Sequence, residues 1–143
     1  MDVTSAHLTR VITFSAAHRY FRPGWSPEQN AAVFGACASE HGHGHTYECR
    51  VTVRGEVNSE TSMIINLREL DRIINEEVKQ RFDHRNINYD VPEFEVGRQI
   101  PTVEALAVFI WKRISSRLPA EVRLETVRIQ EDPSLYAEYR GEQ

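Results

Sequence analysis

Residues 37–54 read Cys37-Ala38-Ser39-Glu40-His41-Gly42-His43-Gly44-His45-Thr46-Tyr47-Glu48-Cys49-Arg50-Val51-Thr52-Val53-Arg54. From Tyr47 onward apolar and polar residues alternate with period two, the pattern of a half-buried antiparallel strand. Cys49 is in phase with Val51 and Val53 and belongs to the core side of that strand. Extended backward, the same alternation puts His43 and His45 on one face, because residues two apart on a strand point the same way. Two imidazoles on one rigid element can serve one ion. Neutral imidazole suits Zn²⁺, and a catalytic zinc has three protein ligands and one open position, so a third ligand must come from another segment. The alternative reading is a surface His/Gly loop. A leftover purification tag is excluded by the internal position.

Working outward, Leu8 to Ala17 reads as a first strand and Arg19 to Gly35 as a long loop marked by Pro23-Gly24 and Ser26-Pro27. The second strand runs from His45 to Glu56 and ends at Gly55 and Asn58-Ser59. Leu67, Leu70, Ile73, Ile74 and Val78 recur at helical spacing and predict an amphipathic helix. A polar, proline-bearing segment, Asp83 to Pro101, leads to a second helix. Pro101-Thr102 opens it, Glu104 lies in its first turn, Leu106, Phe109, Ile110, Ile114 and Leu118 form its stripe, and Pro119 stops it. Val122 to Gln130 and Leu135 to Arg140 then form a hairpin around the turn-like Glu131-Asp132-Pro133-Ser134. The order β-β-α-α-β-β predicts an α+β domain, with a four-stranded antiparallel sheet covered on one face by two helices. Its open edges invite pairing with neighbouring subunits.

The chain has 143 residues and a net charge of −4, which fits one domain over 1–143 with a core that needs no disulfide staples. With no basic stretch, a nucleic-acid partner is not expected. There is no apolar run near 18 residues, so no membrane partner is expected either. The polar start Met1-Asp2-Val3-Thr4, leading into a strand, lacks a signal-peptide pattern and points to the cytoplasm. Cys37 and Cys49 fit neither a CxxC pair nor a zinc ribbon, and both are expected as free thiols. His18, at the end of the first strand in Phe14-Ser15-Ala16-Ala17-His18, is the best candidate for the third ligand. His7, His41 and His84 are the alternatives.

Five blocks in order resemble the 6-pyruvoyl-tetrahydropterin synthase family: Phe14-Ser15-Ala16-Ala17-His18-Arg19; Val33-Phe34-Gly35-Ala36-Cys37 leading to His43-Gly44-His45-Thr46-Tyr47; Asp83-His84-Arg85-Asn86-Ile87-Asn88; Pro101-Thr102-Val103-Glu104; and Glu131, followed by Tyr139-Arg140-Gly141-Glu142. Together they span nearly the whole chain. The resemblance implies a tunnelling fold, in which subunits join by their sheet edges into trimeric barrels that stack as a homohexamer, a dimer of trimers. It implies zinc held by His18, His43 and His45, with proton chemistry by Cys37, Asp83 and His84. It implies Glu131 as the anchor of the pterin, with Thr102 and Glu104 nearby in a pocket between subunits. The substrate would be 7,8-dihydroneopterin triphosphate, with Arg10, Arg19, Arg22 and Arg85 as candidate cations for its phosphates.

Each residue type suits that chemistry. A zinc ion polarises substrate hydroxyls or a developing carbonyl, and a thiolate at Cys37, with its pKa lowered by a nearby cation such as His84, can take a carbon-bound proton. A carboxylate at Glu131 can accept two parallel hydrogen bonds from an aminopyrimidinone edge. Elimination of triphosphate then gives the 6-pyruvoyl product. His41 creates a second His-Gly-His frame, since five residues separate Cys37 from His43 but three separate it from His41. The shorter spacing and the Pro-Thr-x-Glu segment resemble the related 6-carboxy-tetrahydropterin synthases of queuosine biosynthesis, which release acetaldehyde and triphosphate. The longer spacing and the long loop resemble the pyruvoyl-forming enzymes. A non-catalytic zinc-binding hexameric scaffold would keep the three histidines but need not keep Cys37, Asp83, His84 and Glu131.

Overall fold

A computed structural model describes residues 4–142; Met1–Val3, part of the polar start, lie outside the described residues, as does Gln143. Strand β1 (Ser5–His18) and strand β2 (His43–Glu56) pair antiparallel along their full lengths, from Ser5↔Glu56 to His18↔His43. Strand β4 (Arg123–Asp132) pairs with β2, and β5 (Leu135–Tyr139) with β4. The antiparallel four-stranded sheet is therefore present, and a fifth strand extends it. Residues Arg85–Asn86 form β3, parallel to β1 at Ala16 and Ala17, which gives the order β3-β1-β2-β4-β5. Two residues inside a polar segment carry no alternation, so sequence periodicity cannot announce such a strand.

The segment read as a loop from Arg19 to Gly35 contains helix α1 (Pro27–Phe34). Ser26 caps it, accepting the Gln29 N–H at 3.1 Å, and Pro27 sits at its first turn, where a missing N–H costs nothing. Asn30, 1% exposed, binds the loop back on itself: its Oδ1 accepts the Arg22 N–H at 2.8 Å and its amide donates to the Arg22 carbonyl at 3.1 Å. The helix buries a polar residue rather than an apolar stripe, which is why its sequence resembles a loop.

Helix α2 (Leu67–Ile74), a π-helical turn at Asn75–Lys79 and the short α3 (Gln80–Phe82) follow one another without a break. Leu70, Ile73, Ile74, Val78 and Phe82 are buried against the sheet. After β3 come the short α4 (Ile87–Asp90) and then α5 (Val103–Ser115), whose Thr102 cap accepts the Ala105 N–H at 3.1 Å. Leu106, Ile110 and Ile114 of α5 join Val51, Val53, Val127 and Ile129 of the sheet in one core. The proposed turn is shorter than expected, because Glu131 and Asp132 belong to β4, with a register shift between Gln130 and Asp132. Cys49 is fully buried, as its phase predicted, and burial pushes its thiol up to about 12. No described helix is long and apolar enough to cross a membrane.

The π-turn carries Glu77, 6% exposed, into a cluster of guanidiniums. Arg113 of α5 donates to its Oε1 at 2.9 Å, Arg81 to the same oxygen at 3.1 Å, and Arg117 to Oε2 at 3.1 Å. Although burial alone would raise the Glu77 pKa, the hydrogen bonds from Arg113 and Arg117 outweigh it and hold the carboxyl below its ordinary value. This ion cluster ties the first helical segment to the second. Glu77→Ala should destabilise the fold by about 1–3 kcal/mol, less than a fully buried pair because the arginines reach solvent. Urea unfolding reads this as a lower midpoint. Because the folded pKa is depressed, the wild-type contribution is present above the ordinary carboxylate range and disappears as pH falls through the folded value. The difference between Glu77→Ala and wild type should shrink in acid, and a pH-independent difference would contradict the assignment.

Candidate metal centre

Full pairing of β1 with β2 puts His18 opposite His43 and Ala16 opposite His45. The alternation that buries Phe14 and Ala16 on β1, and Tyr47 and Cys49 on β2, turns all three histidines toward the helix-covered side, at the end of the core. Their ring centroids are 5.0, 5.1 and 4.9 Å apart, and one nitrogen from each lies within 4.8 Å of the others. His41, exposed in the turn before β2, is not in this group. The backbone explains the frame: Gly42 has φ +67° and lies against the His18 carbonyl, where a Cβ would come within 2.5 Å of the oxygen. The chain must enter β2 through a glycine there, and the strand begins at His43.

Donor chemistry fits a metal. His18 is fully buried, and its Nδ1 lies 2.5 Å from the Tyr47 hydroxyl. Burial, followed by the neighbouring His45 and His43, pushes its pKa down to about 3, so the ring is neutral and able to ligate. Nε2 of His18 and Nε2 of His45 are buried without a hydrogen-bond partner. Buried polar atoms are seldom left so, and a shared ion satisfies both. Tyr47 holds His18 by the ring atom opposite the unpartnered one, the usual arrangement for orienting a ligating imidazole. Its place two residues beyond His45 was the available signal for that role.

Glu131 reaches the same cavity from β4, in phase with buried Val127 and Ile129. The residue is 8% exposed; its Oε1 lies 3.4 Å from His45 Nε2 and 3.6 Å from His18 Nε2 and has no hydrogen-bond partner among the described residues. Cys37, in the single 3₁₀ turn after α1, puts its Sγ 3.6 Å from His43 Nε2. Burial, and then the Glu131 charge, push the thiol pKa up rather than down. Tyr20, which sequence reasoning missed, stacks on His18 with centroids 4.6 Å apart, and its N–H donates to the Cys37 carbonyl at 2.7 Å. Its phenol is pushed up by burial, then by neighbouring negative charges with Glu131 the foremost, and by a hydrogen bond to Glu131. Glu104 is exposed in the first turn of α5.

Other expected residues stand elsewhere. The Thr102 hydroxyl is engaged in capping α5. Asp83 accepts the Ser15 N–H at 2.9 Å, a bond that heads the causes holding its carboxyl below the ordinary range. His84, with φ +60° and a side chain 84% exposed, lies 3.6 Å from Asp83, and among the described contacts neither touches Cys37. Arg10 is committed to Asp71, at 2.6 and 2.8 Å. It also stands eight residues from His18 along β1, roughly 26 Å at strand rise. Arg85 instead shares an open hollow with His84, Gly44 and His45.

An α+β sheet with three histidines converging at the end of its core, flanked by a thiol and a carboxylate, defines the kind of protein that could hold a metal ion beside reactive side chains. The chain belongs to the 6-pyruvoyl tetrahydropterin synthase family, whose model matches residues 7–142. It is 41% identical over 136 residues to the 6-pyruvoyl tetrahydrobiopterin synthase of Poecilia reticulata, covering 95% of this chain and 90% of that one. To the human protein of that name it is 39% identical over 137 residues, covering 96% and 92%. The structure of Caenorhabditis elegans 6-pyruvoyl tetrahydropterin synthase superposes with a TM-score of 0.90 at 31% identity, covering 99% of each chain. The chain is thus a lyase by family.

The ligand frame is testable by elemental analysis. His18→Ala, His43→Ala and His45→Ala should each lose most of the bound metal, while His41→Ala keeps it; the reverse pattern would move the frame. Tyr47→Phe should keep the ligands but weaken metal affinity about 10- to 100-fold in chelator competition.

Proposed function

We propose that the protein converts 7,8-dihydroneopterin triphosphate to 6-pyruvoyl-tetrahydropterin with elimination of triphosphate, with Zn²⁺ held by His18, His43 and His45. The observation that carries this reading is the convergence of two orphaned imidazole nitrogens, the unpartnered Glu131 Oε1 and the half-buried Cys37 thiol at one end of the core. A zinc ion bound there supplies Lewis acidity toward the substrate side chain. Glu131 anchors the pterin: a buried carboxylate oxygen without a donor, as its Oε1 is, is costly, and an aminopyrimidinone edge offers two N–H groups in parallel. Glu104 and Thr102, at the start of α5, complete the substrate-binding set of this reading, Thr102 through the helix end that it caps.

Cys37 acts as the base for the carbon-bound proton. A nearby cation favours the thiolate: Zn²⁺ on His43 would be one, and Asp83–His84 is the pair suited to supply a second and to take part in the proton transfer, with Asp83 holding the imidazole. Because that pair does not reach Cys37 within one chain, we assign it to the adjoining subunit of a homohexamer built by edge pairing of the sheets, with the site between copies. The described cysteines are free, as suits a cytoplasmic enzyme whose thiol must remain reduced. The 6-carboxy product is the second outcome to be measured. The exclusion of His41 from the cluster favours the pyruvoyl product, because the longer Cys37-to-His43 spacing is then the operative one.

Mass spectrometry of the reaction of the purified protein with 7,8-dihydroneopterin triphosphate should find triphosphate and a pterin retaining all three side-chain carbons. Acetaldehyde with a 6-carboxy pterin would overturn the pyruvoyl assignment. Cys37→Ala should keep zinc and bind pterin yet lose at least about 100-fold in kcat, in line with removal of a general base. Assemblies co-expressed from Cys37→Ala and His84→Ala chains should recover activity that neither has alone. Recovery fails if both groups come from the same chain.

A further inference from the structure

The face of the sheet opposite the histidines carries an arrangement that the reaction does not use. Outward-pointing residues of β2 and β4 face one another as Arg50↔Arg128 and Thr52↔Thr126 and, beyond a register shift after Thr52, as Arg54↔Arg123. Like charges directly opposite on neighbouring strands destabilise a sheet, and two such pairs flank one threonine row. Thr9 of β1 extends that row, its hydroxyl 2.7 Å from that of Thr52. Arg50 is matched by Glu48 at 2.7 Å, Arg140 by Glu138 at 2.9 Å and Arg54, loosely, by Glu125 at 3.9 Å. Arg128 has no carboxylate within ion-pair distance among the described residues; its guanidinium lies over the Tyr136 ring, 3.4 Å from the centroid.

Between these side chains lies a hollow of about 180 Å³, lined by the three threonines, Arg50, Arg128, Arg140 and Glu138. A water occupies about 30 Å³ of liquid, so the hollow has room for a tetrahedral oxyanion with some water. Three guanidiniums and three hydroxyls face it against one carboxylate, which is itself engaged by Arg140. The flat face of Tyr136 holds Arg128 in place, and planar guanidiniums match the oxygen edges of phosphate.

We propose that this hollow is a binding site for a phosphate-class oxyanion, separated from the metal centre by the thickness of the sheet. Glu48 offsets the charge of Arg50, while Arg128 has no carboxylate and its buried Nε has no hydrogen-bond partner, so an anion between Arg50 and Arg128 supplies the charge and the acceptor that Arg128 lacks. The site does not depend on the assignment of the reaction. Its occupant is either free phosphate or the end of a polyphosphate chain; the row from Arg50 to Arg54 is long enough to engage more than one phosphate group.

Isothermal titration of the intact wild-type protein with inorganic phosphate, at constant ionic strength and with chloride as the control, tests the proposal. Saturable binding is expected. Arg128→Gln and Arg50→Gln should each weaken it at least about tenfold, while metal content and circular dichroism stay as in wild type. Titration with inorganic triphosphate distinguishes the sources: tighter binding than phosphate, sensitive also to Arg54→Gln, assigns a polyphosphate chain, and equal affinity insensitive to Arg54→Gln assigns the single ion. Equal phosphate affinity in wild type and both Arg50 and Arg128 variants, or heats no larger than with chloride, would overturn the proposal.

Discussion

Full-length antiparallel pairing of β1 with β2 is the constraint on which the molecule depends. Side-chain direction along a strand has a period of two residues, so a slip of one position would turn every core residue outward. Here the register that buries Phe14, Tyr47, Cys49 and Val51 also places His18 across from His43. Core and histidine cluster are therefore one decision. Several kcal/mol of apolar burial, at roughly 25 cal/mol per Å², hold three imidazoles close together although they gain little from one another. The turn at Gly42 completes the constraint by starting the strand at His43 rather than at His41.

That coupling explains why so much was legible beforehand. Alternation from Tyr47 to Arg54 showed the face of His43 and His45; the alternation of Val127 and Ile129 continues to Glu131, which the turn-like Glu131-Asp132-Pro133-Ser134 had placed outside the strand. The helix periodicities of Leu70 to Val78 and Leu106 to Ile114 were equally plain. Where a residue's side-chain direction follows from a period, sequence suffices.

Elements without a period stayed hidden. Helix α1 is organised by the hydrogen bonds of buried Asn30 rather than by an apolar stripe. Strand β3 has two residues and is located by Asp83 and His84 binding back to Ser15. Tyr20 follows the end of β1, beyond any alternation, and only its stacking on His18 reveals its place. The separation of Asp83–His84 from Cys37 is likewise a fact of tertiary geometry, since adjacency in a family's motif set does not specify which copy of the chain supplies each group.

The π-turn at Asn75–Lys79 has a geometric role beyond carrying Glu77. An α-helix advances 100° per residue, so the extra residue held in a π-turn offsets everything after it by about that angle relative to an uninterrupted helix. The residues that follow are Phe82, which seals the core, and then Asp83 and His84. This five-residue turn therefore works as an aiming device, setting the bearing of the exposed imidazole while the helix before it stays seated. Shortening it by one residue would leave the chemistry of His84 intact and point it in another direction.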